Sequence, residues 1–277
     1  MPLFPKDISV MVDLFCGGAS VGVNIRAKEV ILNDKQKEIV RILEIFKRLS
    51  FDALFTQILG LIDEFSLSNS AQFGYGFYKC DSAKGLSSYN KVGFLCLKNA
   101  YNADKDELKL FVLIIYAFNN QSRFNSKGKF NLPVSNVDFN ANVFNALNGY
   151  FSSCKNKEMK LFNADYVEFL SKFEFKKDDF IYFDPPYLIS DSKYNKLWSD
   201  DKEREFYAFL YELNAKGVRF GLTNLLTHKG RHNALLENFA RKYHCKDIVS
   251  NYISFNDNSI KKDSKELYVM KISLKNK

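Results

Sequence analysis

The chain has 277 residues, 46% of them apolar, enough to bury a full core as one large domain or as one domain carrying an insertion. No run of about 18 uncharged apolar residues is present and no apolar stretch follows a basic start, so neither a membrane-spanning helix nor a secretion signal is expected, and a cytoplasmic location is. The net charge of +8 suits a polyanionic partner, although a Lys-, Asn- and Phe-rich, Arg-poor composition is what A+T-rich coding imposes on any protein.

Val10 to Phe15 reads as a strand, followed at once by the glycine-rich turn Cys16-Gly17-Gly18-Ala19-Ser20-Val21-Gly22. Such a turn between strand and helix lets the backbone approach a ligand closely. Val30 to Asn33 is a second apolar run with Asp34 at its end, spaced as in dinucleotide-binding sites, where an acidic residue about 20 positions on grips a ribose. The pair points to a nucleoside-containing cofactor. Lys35 to Leu49 carries Ile39, Ile42, Leu43 and Phe46 at helical spacing, a core-packing helix.

From about Ser50 to Lys157 the strand–helix alternation stops, which reads as an inserted domain with one long apolar helix near Asp104 to Ala117. Within it, Phe118 to Val134 holds Arg123, Lys127 and Lys129, no acid, several amides and interleaved aromatics, with Lys127-Gly128-Lys129 as a hairpin-like tip. Arg, Asn and Gln read base edges and Lys reaches phosphate. A solvated loop of biased composition would have the same residues.

The alternation resumes at Met159: a strand, then Asp165 as a helix cap or a contact to a cofactor base, and a helix over Tyr166 to Phe173. Phe180 to Phe183 is the next strand. Asp184-Pro185-Pro186-Tyr187 ends it, Pro185 forcing Asp184 to extended geometry and the prolines stiffening the turn. A carboxylate, carbonyls without N–H partners nearby and an aromatic plate make a site that accepts hydrogen bonds from a planar amine. A plain proline turn is the bland alternative. A polar loop, Ile189 to Ser199, leads to a helix over Lys202 to Ala215, a strand over Gly217 to Thr223 and a helix over His232 to Tyr243. Two late strands, Ile248 to Phe255 and Glu266 to Leu274, then close the sheet as an antiparallel edge. The expected fold is α/β: a mostly parallel, Rossmann-like sheet with helices on both faces. Ligands in such sheets sit at strand carboxyl ends, where Gly17, Asp34, Asp165 and Asp184 all fall.

The five cysteines are scattered without metal or redox spacing, and His228 and His232, four residues apart and able to share a helix face, have no third ligand nearby. No metal site is expected.

Together, Asp184-Pro185-Pro186-Tyr187, Asp13-x-Phe15-x-Gly17, Asp34 and the series Arg123/Asn125/Gly128/Phe130-Asn131/Pro133 resemble the Dam-type (alpha-group) DNA adenine-N6 methyltransferases over nearly the whole chain. The tail, with Ser254, Asn256 and Lys261-Lys262 before Glu266-Leu267, fits the family's last hairpin. The resemblance implies a catalytic domain over residues 1–49 and 158–277 that uses S-adenosyl-L-methionine, and a target-recognition insertion over 50–157. It implies that Asp13, Phe15, Gly17, Asp34, Asp165 and Asp184 surround the cofactor. A flipped adenine would stack on Tyr187 and donate its N6 hydrogens to Asp184 and the Pro185 carbonyl, with Pro186 stiffening the turn. Phe118, Asn119, Asn120, Arg123, Asn125, Lys127, Lys129 and Pro133 would meet double-stranded DNA. A restriction-modification system with a cognate endonuclease follows as a setting.

Family members usually carry Trp/Ile-x-Gly-Gly/Ser-Lys before the first strand, on a helix that covers the cofactor; Pro2 to Ile8 contain no such motif. Weakened cofactor affinity is therefore expected. Two other readings stay open: a weakly active or inactive DNA-binding relic, and a methyltransferase of another planar amine such as cytosine N4, RNA adenine or glutamine.

Overall fold

The computed structural model describes residues 3–80, 85–190, 198–248 and 264–271. In chain order the strands are β1 (Ile8–Asp13), β2 (Ala27–Asn33), β3 (Glu158–Phe162), β4 (Phe180–Phe183), β5 (Arg219–His228), β6 (Arg231–His232), β7 (His244–Ile248) and β8 (Lys265–Lys271). The helices are α1 (Lys37–Arg48), α2 (Phe51–Glu64), α3 (Ser70–Phe77), α4 (Ser87–Asp104), α5 (Glu107–Tyr116), α6 (Ala141–Cys154), α7 (Tyr166–Lys172), α8 (Asp200–Ala215) and α9 (Ala234–Ala240). The chain divides into two compact units: residues 1–35 with 156–277, and residues 36–155.

The first unit is a sheet in the order β3-β2-β1-β4-β5-β8-β7, with β6 paired to β5. Strands β1 to β5 run parallel, and β8 lies antiparallel between β5 and β7. Alternation of side chains sorts the two faces. Val12, Ile31, Ile181, Phe183, Phe220, Leu222, Leu267 and Val269 form one core with Phe169 of α7, Phe206 and Leu210 of α8, and Leu236 and Phe239 of α9. On the other face the ring of Phe4 packs against Phe180, Tyr182 and Tyr268 at 5.5–5.6 Å. β4 is buried along its whole length, as a central parallel strand must be.

The second unit is helical. Its centre is α5, whose Leu110, Val112, Leu113 and Tyr116 are buried, with α1, α2 and α4 packed on it. The sequence reading puts α1 with the catalytic part, but α1 packs here. Its Phe46 ring meets Phe111 at 4.9 Å and Tyr150 at 5.4 Å, and Arg41 pairs with Glu107. Helical spacing shows that a helix has an apolar face, not which partner takes it.

Several expected boundaries shift. β5 runs on to His228, α9 is shorter than His232 to Tyr243, and β7 begins at His244, earlier than the expected strand from Ile248. His228 and His232 do not share a helix; they lie on the two arms of the β5–β6 hairpin, turned at Lys229 and Gly230 with positive φ. Ser254, Asn256, Lys261 and Lys262 lie outside the described residues, as do residues 191–197 of the polar loop.

Candidate active site

Parallel pairing of β3, β2, β1 and β4 brings four strand ends side by side, and Asp165, Asp34, Asp13 and Asp184 stand at them. The turn after β1 is fastened to the end of β2. Gly17 adopts a left-handed φ of +47°, which glycine takes without steric cost, and its N–H donates to Asp34 Oδ2 at 2.9 Å. The Cys16 N–H donates to the Asn33 carbonyl at 2.9 Å. Buried Asn33 laces three segments: its Nδ2 donates to the carbonyls of Leu14 and Ala164, and its Oδ1 accepts from the Ala164 N–H.

Asp13 is 1% exposed and accepts from the Gly22 N–H at 2.8 Å. Burial pushes its carboxyl up to about 7; the Gly22 hydrogen bond opposes this, and the charges of Asp184 and Asp34 add to it. Gly22 has no room for a side chain, since a Cβ there would lie 2.6 Å from Leu32 Cδ2 and 3.1 Å from Asp13.

Asp165 caps α7 through the Val167 N–H and accepts from Lys35 Nζ at 2.9 Å. Burial would raise its carboxyl, but the Lys35 and Val167 hydrogen bonds and the Lys35 and Lys202 charges together hold it below the usual range. Phe15 lies in a cluster of rings with Tyr166 (5.5 Å), Phe206 (6.1 Å) and Trp198 (6.4 Å). The Trp198 indole N–H donates to Glu203 Oε2. Fully buried Glu203 also accepts on Oε1 from Tyr207, Asn224 and Asn233, so its carboxyl oxygens are met by neutral donors.

At the end of β4 the Tyr187 hydroxyl lies 2.7 Å from Asp184 Oδ1 and 2.8 Å from Glu266 Oε1 of β8. Burial lifts the Asp184 carboxyl to about 6; the Tyr187 hydrogen bond pulls it down and the Glu266 charge raises it.

In the second unit, the segment after α5 forms the expected hairpin. Phe124 pairs with Phe130, Gly128 turns the tip at φ +66°, and Asn125 Oδ1 accepts from the N–H groups of Lys127 and Lys129. Buried Phe130 anchors it, packed against Phe94, Tyr101 and Phe124, with Asn102 bonded to its backbone on both sides. Arg123 donates from Nε to Asn131 Oδ1 (2.8 Å) and from Nη2 to the Asn131 carbonyl (3.1 Å), which holds the guanidinium in one orientation. Asn119 and Asn120 take positive φ, and Asn120 Nδ2 caps the last carbonyls of α5. Phe118, Asn119, Asn120, Asn125, Lys127, Lys129 and Pro133 are all exposed.

A family described as the D12 class N6 adenine-specific DNA methyltransferases matches residues 1–269. The chain belongs to that family. Among curated relatives, the type II methyltransferase M.FokI of Planomicrobium okeanokoites is 32% identical over 286 residues, 97% of this chain. The modification methylase StsI of Streptococcus sanguinis is 32% identical over 283 residues, also 97% of the chain. The modification methylase LlaI of Lactococcus lactis subsp. lactis is 28% identical over 242 residues, 84% of the chain. The chain spans 40% of the length of the first two and 35% of the third.

Within this D12 framework, the first unit gathers Asp13, Phe15, Gly17, Asp34, Asp165, Asp184 and Tyr187 on one rim, as their strand-end positions require. Four residues at that rim escape the sequence reading as site residues: Gly22, Asn33, Glu203 and Glu266. Gly22 and Asn33 carry a faint signal, a second glycine in the turn and an amide ending an apolar strand. Glu203 and Glu266 carry none, because a buried acid in a helix or in an inner strand reads like a solvated one.

Proposed function

We propose that the protein transfers a methyl group from S-adenosyl-L-methionine to N6 of an adenine extruded from double-stranded DNA. The observation that carries this reading is the Asp184–Tyr187 pair at the end of β4, on the same rim as the Gly17–Asp34 turn. The donor set fits the cofactor. Asp34 and Asp165 make the rim acidic, which suits a cationic sulfonium nucleoside and disfavours the pyrophosphate of a dinucleotide. Asp34 would hold the ribose, Asp165 the adenine amino group, and Phe15 and the Gly17 turn would line the cofactor. S-adenosylmethionine supplies an electrophilic methyl whose bonding electrons stay with sulfur.

The chain's own part is to make a poor nucleophile adequate. The N6 lone pair of adenine conjugates into the ring. Asp184 and the Pro185 carbonyl accept the two N6 hydrogens and turn the lone pair out of the ring plane, while Pro185 and Pro186 keep the acceptors rigid. After transfer the nitrogen holds one proton too many, and Asp184 accepts it. Tyr187 offers its ring for stacking, worth on the order of 1–3 kcal/mol per base.

The hairpin of the second unit supports DNA as substrate. Arg123, oriented by Asn131, would read a guanine edge. Phe118, Asn119 and Asn120 would fill the gap left by the extruded base, Asn125 would shape the tip, Lys127 and Lys129 would meet phosphate, and Pro133 a thymine methyl. Residues 50–157 thus act as the recognition insertion on the catalytic domain. Relatives named modification methylases extend the proposal to a cognate restriction endonuclease as partner.

Transfer of a labelled methyl group to adenine-containing duplexes tests the reading. Asp184→Ala should lower the rate by about 10²–10³ while duplex binding stays within a few-fold; undiminished transfer would remove Asp184 from the chemistry.

A further inference from the structure

We propose that Glu266 is a positioning residue of the transfer site, holding the Tyr187 ring in place and sharing a proton with Asp184 through the Tyr187 hydroxyl. Its part in catalysis rests on the adenine reading above. Glu266 lies on β8, paired opposite Leu225 of β5 and Ile248 of β7, and is 6% exposed. An acid that deep requires a hydrogen-bonding partner. Among the described residues, its side chain meets the Tyr187 hydroxyl at 2.8 Å.

That hydroxyl is also 2.7 Å from Asp184 Oδ1. Both separations are hydrogen bonds, yet a phenol has one proton to donate. The second contact therefore needs a second proton, carried by one of the two carboxyls. The surrounding groups favour its retention: Asp13 faces Asp184 from β1, Glu266 from β8, and Tyr182 from β4, its own hydroxyl bonded to Thr223 of β5. None of these is a cation.

The arrangement has a use during transfer. An incoming N6 amine is a donor, so Asp184 must present an oxygen that is not already occupied. When the second proton leaves to solvent, Glu266 is the alternative acceptor: the Tyr187 proton turns to Glu266, Asp184 is left ionised, and an Asp184 lone pair becomes available to the amine. The ring stays gripped at its far end throughout, its face presented to the extruded base.

The test is a carboxyl titration of the ligand-free protein by ¹³C NMR, with Asp184→Asn assigning the Asp184 signal. Glu266→Gln removes the like charge but keeps a group that can bond the hydroxyl, so the Asp184 midpoint should fall by about one pH unit. Tyr187→Phe removes the lowering hydrogen bond, so the midpoint should rise. In single-turnover transfer to an adenine duplex, the acid limb of the rate should move in the same two directions. A Glu266→Gln protein whose midpoint and acid limb both match the unsubstituted chain would overturn the assignment. If Glu266→Gln does not fold, the Tyr187→Phe titration decides: a midpoint that does not rise overturns it. Should the unsubstituted chain transfer no methyl to any adenine duplex, the proposed function falls, while the titration still decides the shared proton.

Discussion

Asp13 shows how one residue can serve the fold at a pH-dependent cost. Its carboxyl braces the glycine turn through Gly22, and burial keeps its proton bound up to about pH 7. In the unfolded chain the same group ionises near 4. The folded state therefore binds the extra proton between those limits, so this contribution to stability is full below about pH 4 and lost as pH rises through about 7. Thermal unfolding from pH 5 to pH 7 should show a decline on the order of 1 kcal/mol per unit, levelling off above that. Asp13→Asn, whose amide oxygen still accepts from Gly22, should flatten that decline. An equal slope in both proteins would show that Asp13 is ionised throughout.

The elements hold together through buried polar knots as much as through apolar faces. In the helical unit Asp138 is fully buried and accepts from the Ser68 and Ser70 hydroxyls and the Ser70 N–H, while Asn90 closes the knot through the Ser68 backbone and hydroxyl. Asp138→Ala strands those donors and should cost about 3–5 kcal/mol, read from chemical denaturation; a cost under 1 kcal/mol would mean water replaces the carboxylate. Knots of this kind mark the limit of what the sequence makes legible. Strand-end acids such as Asp34 and Asp184 can be read because a short continuous apolar run and a following turn fix their place, and the Lys127-Gly128-Lys129 tip can be read because the turn chemistry is local. Asp138 meets partners 68 to 70 residues away and Glu266 a partner 79 away, so no window of sequence contains the reason for either. The β5–β6 hairpin misleads for a related reason: four-residue spacing of His228 and His232 suits a helix, but Gly230 and Lys229 at positive φ turn the chain back instead.

For the molecule as a whole, charge governs how it would meet a nucleic acid. With a net charge of +8, duplex binding should weaken steeply with salt, each phosphate contact adding about 0.9 to the log–log slope. Replacing both Lys127 and Lys129 by Ala should reduce that slope by about two while leaving sequence preference alone; an unchanged slope would place the tip off the backbone.

The position of β8 bears on the order in which the protein can be made. β5 and β7 both leave the ribosome before it, yet it is β8 that pairs with each of them. A nascent chain halted short of residue 264 cannot complete the sheet, and its Asp184 and Tyr187 wait for the carboxylate that Glu266 brings. The pairing of the tyrosine hydroxyl is thus withheld until β8 has been made, and a product stopped short of that strand would lack one of the two carboxylates that meet it.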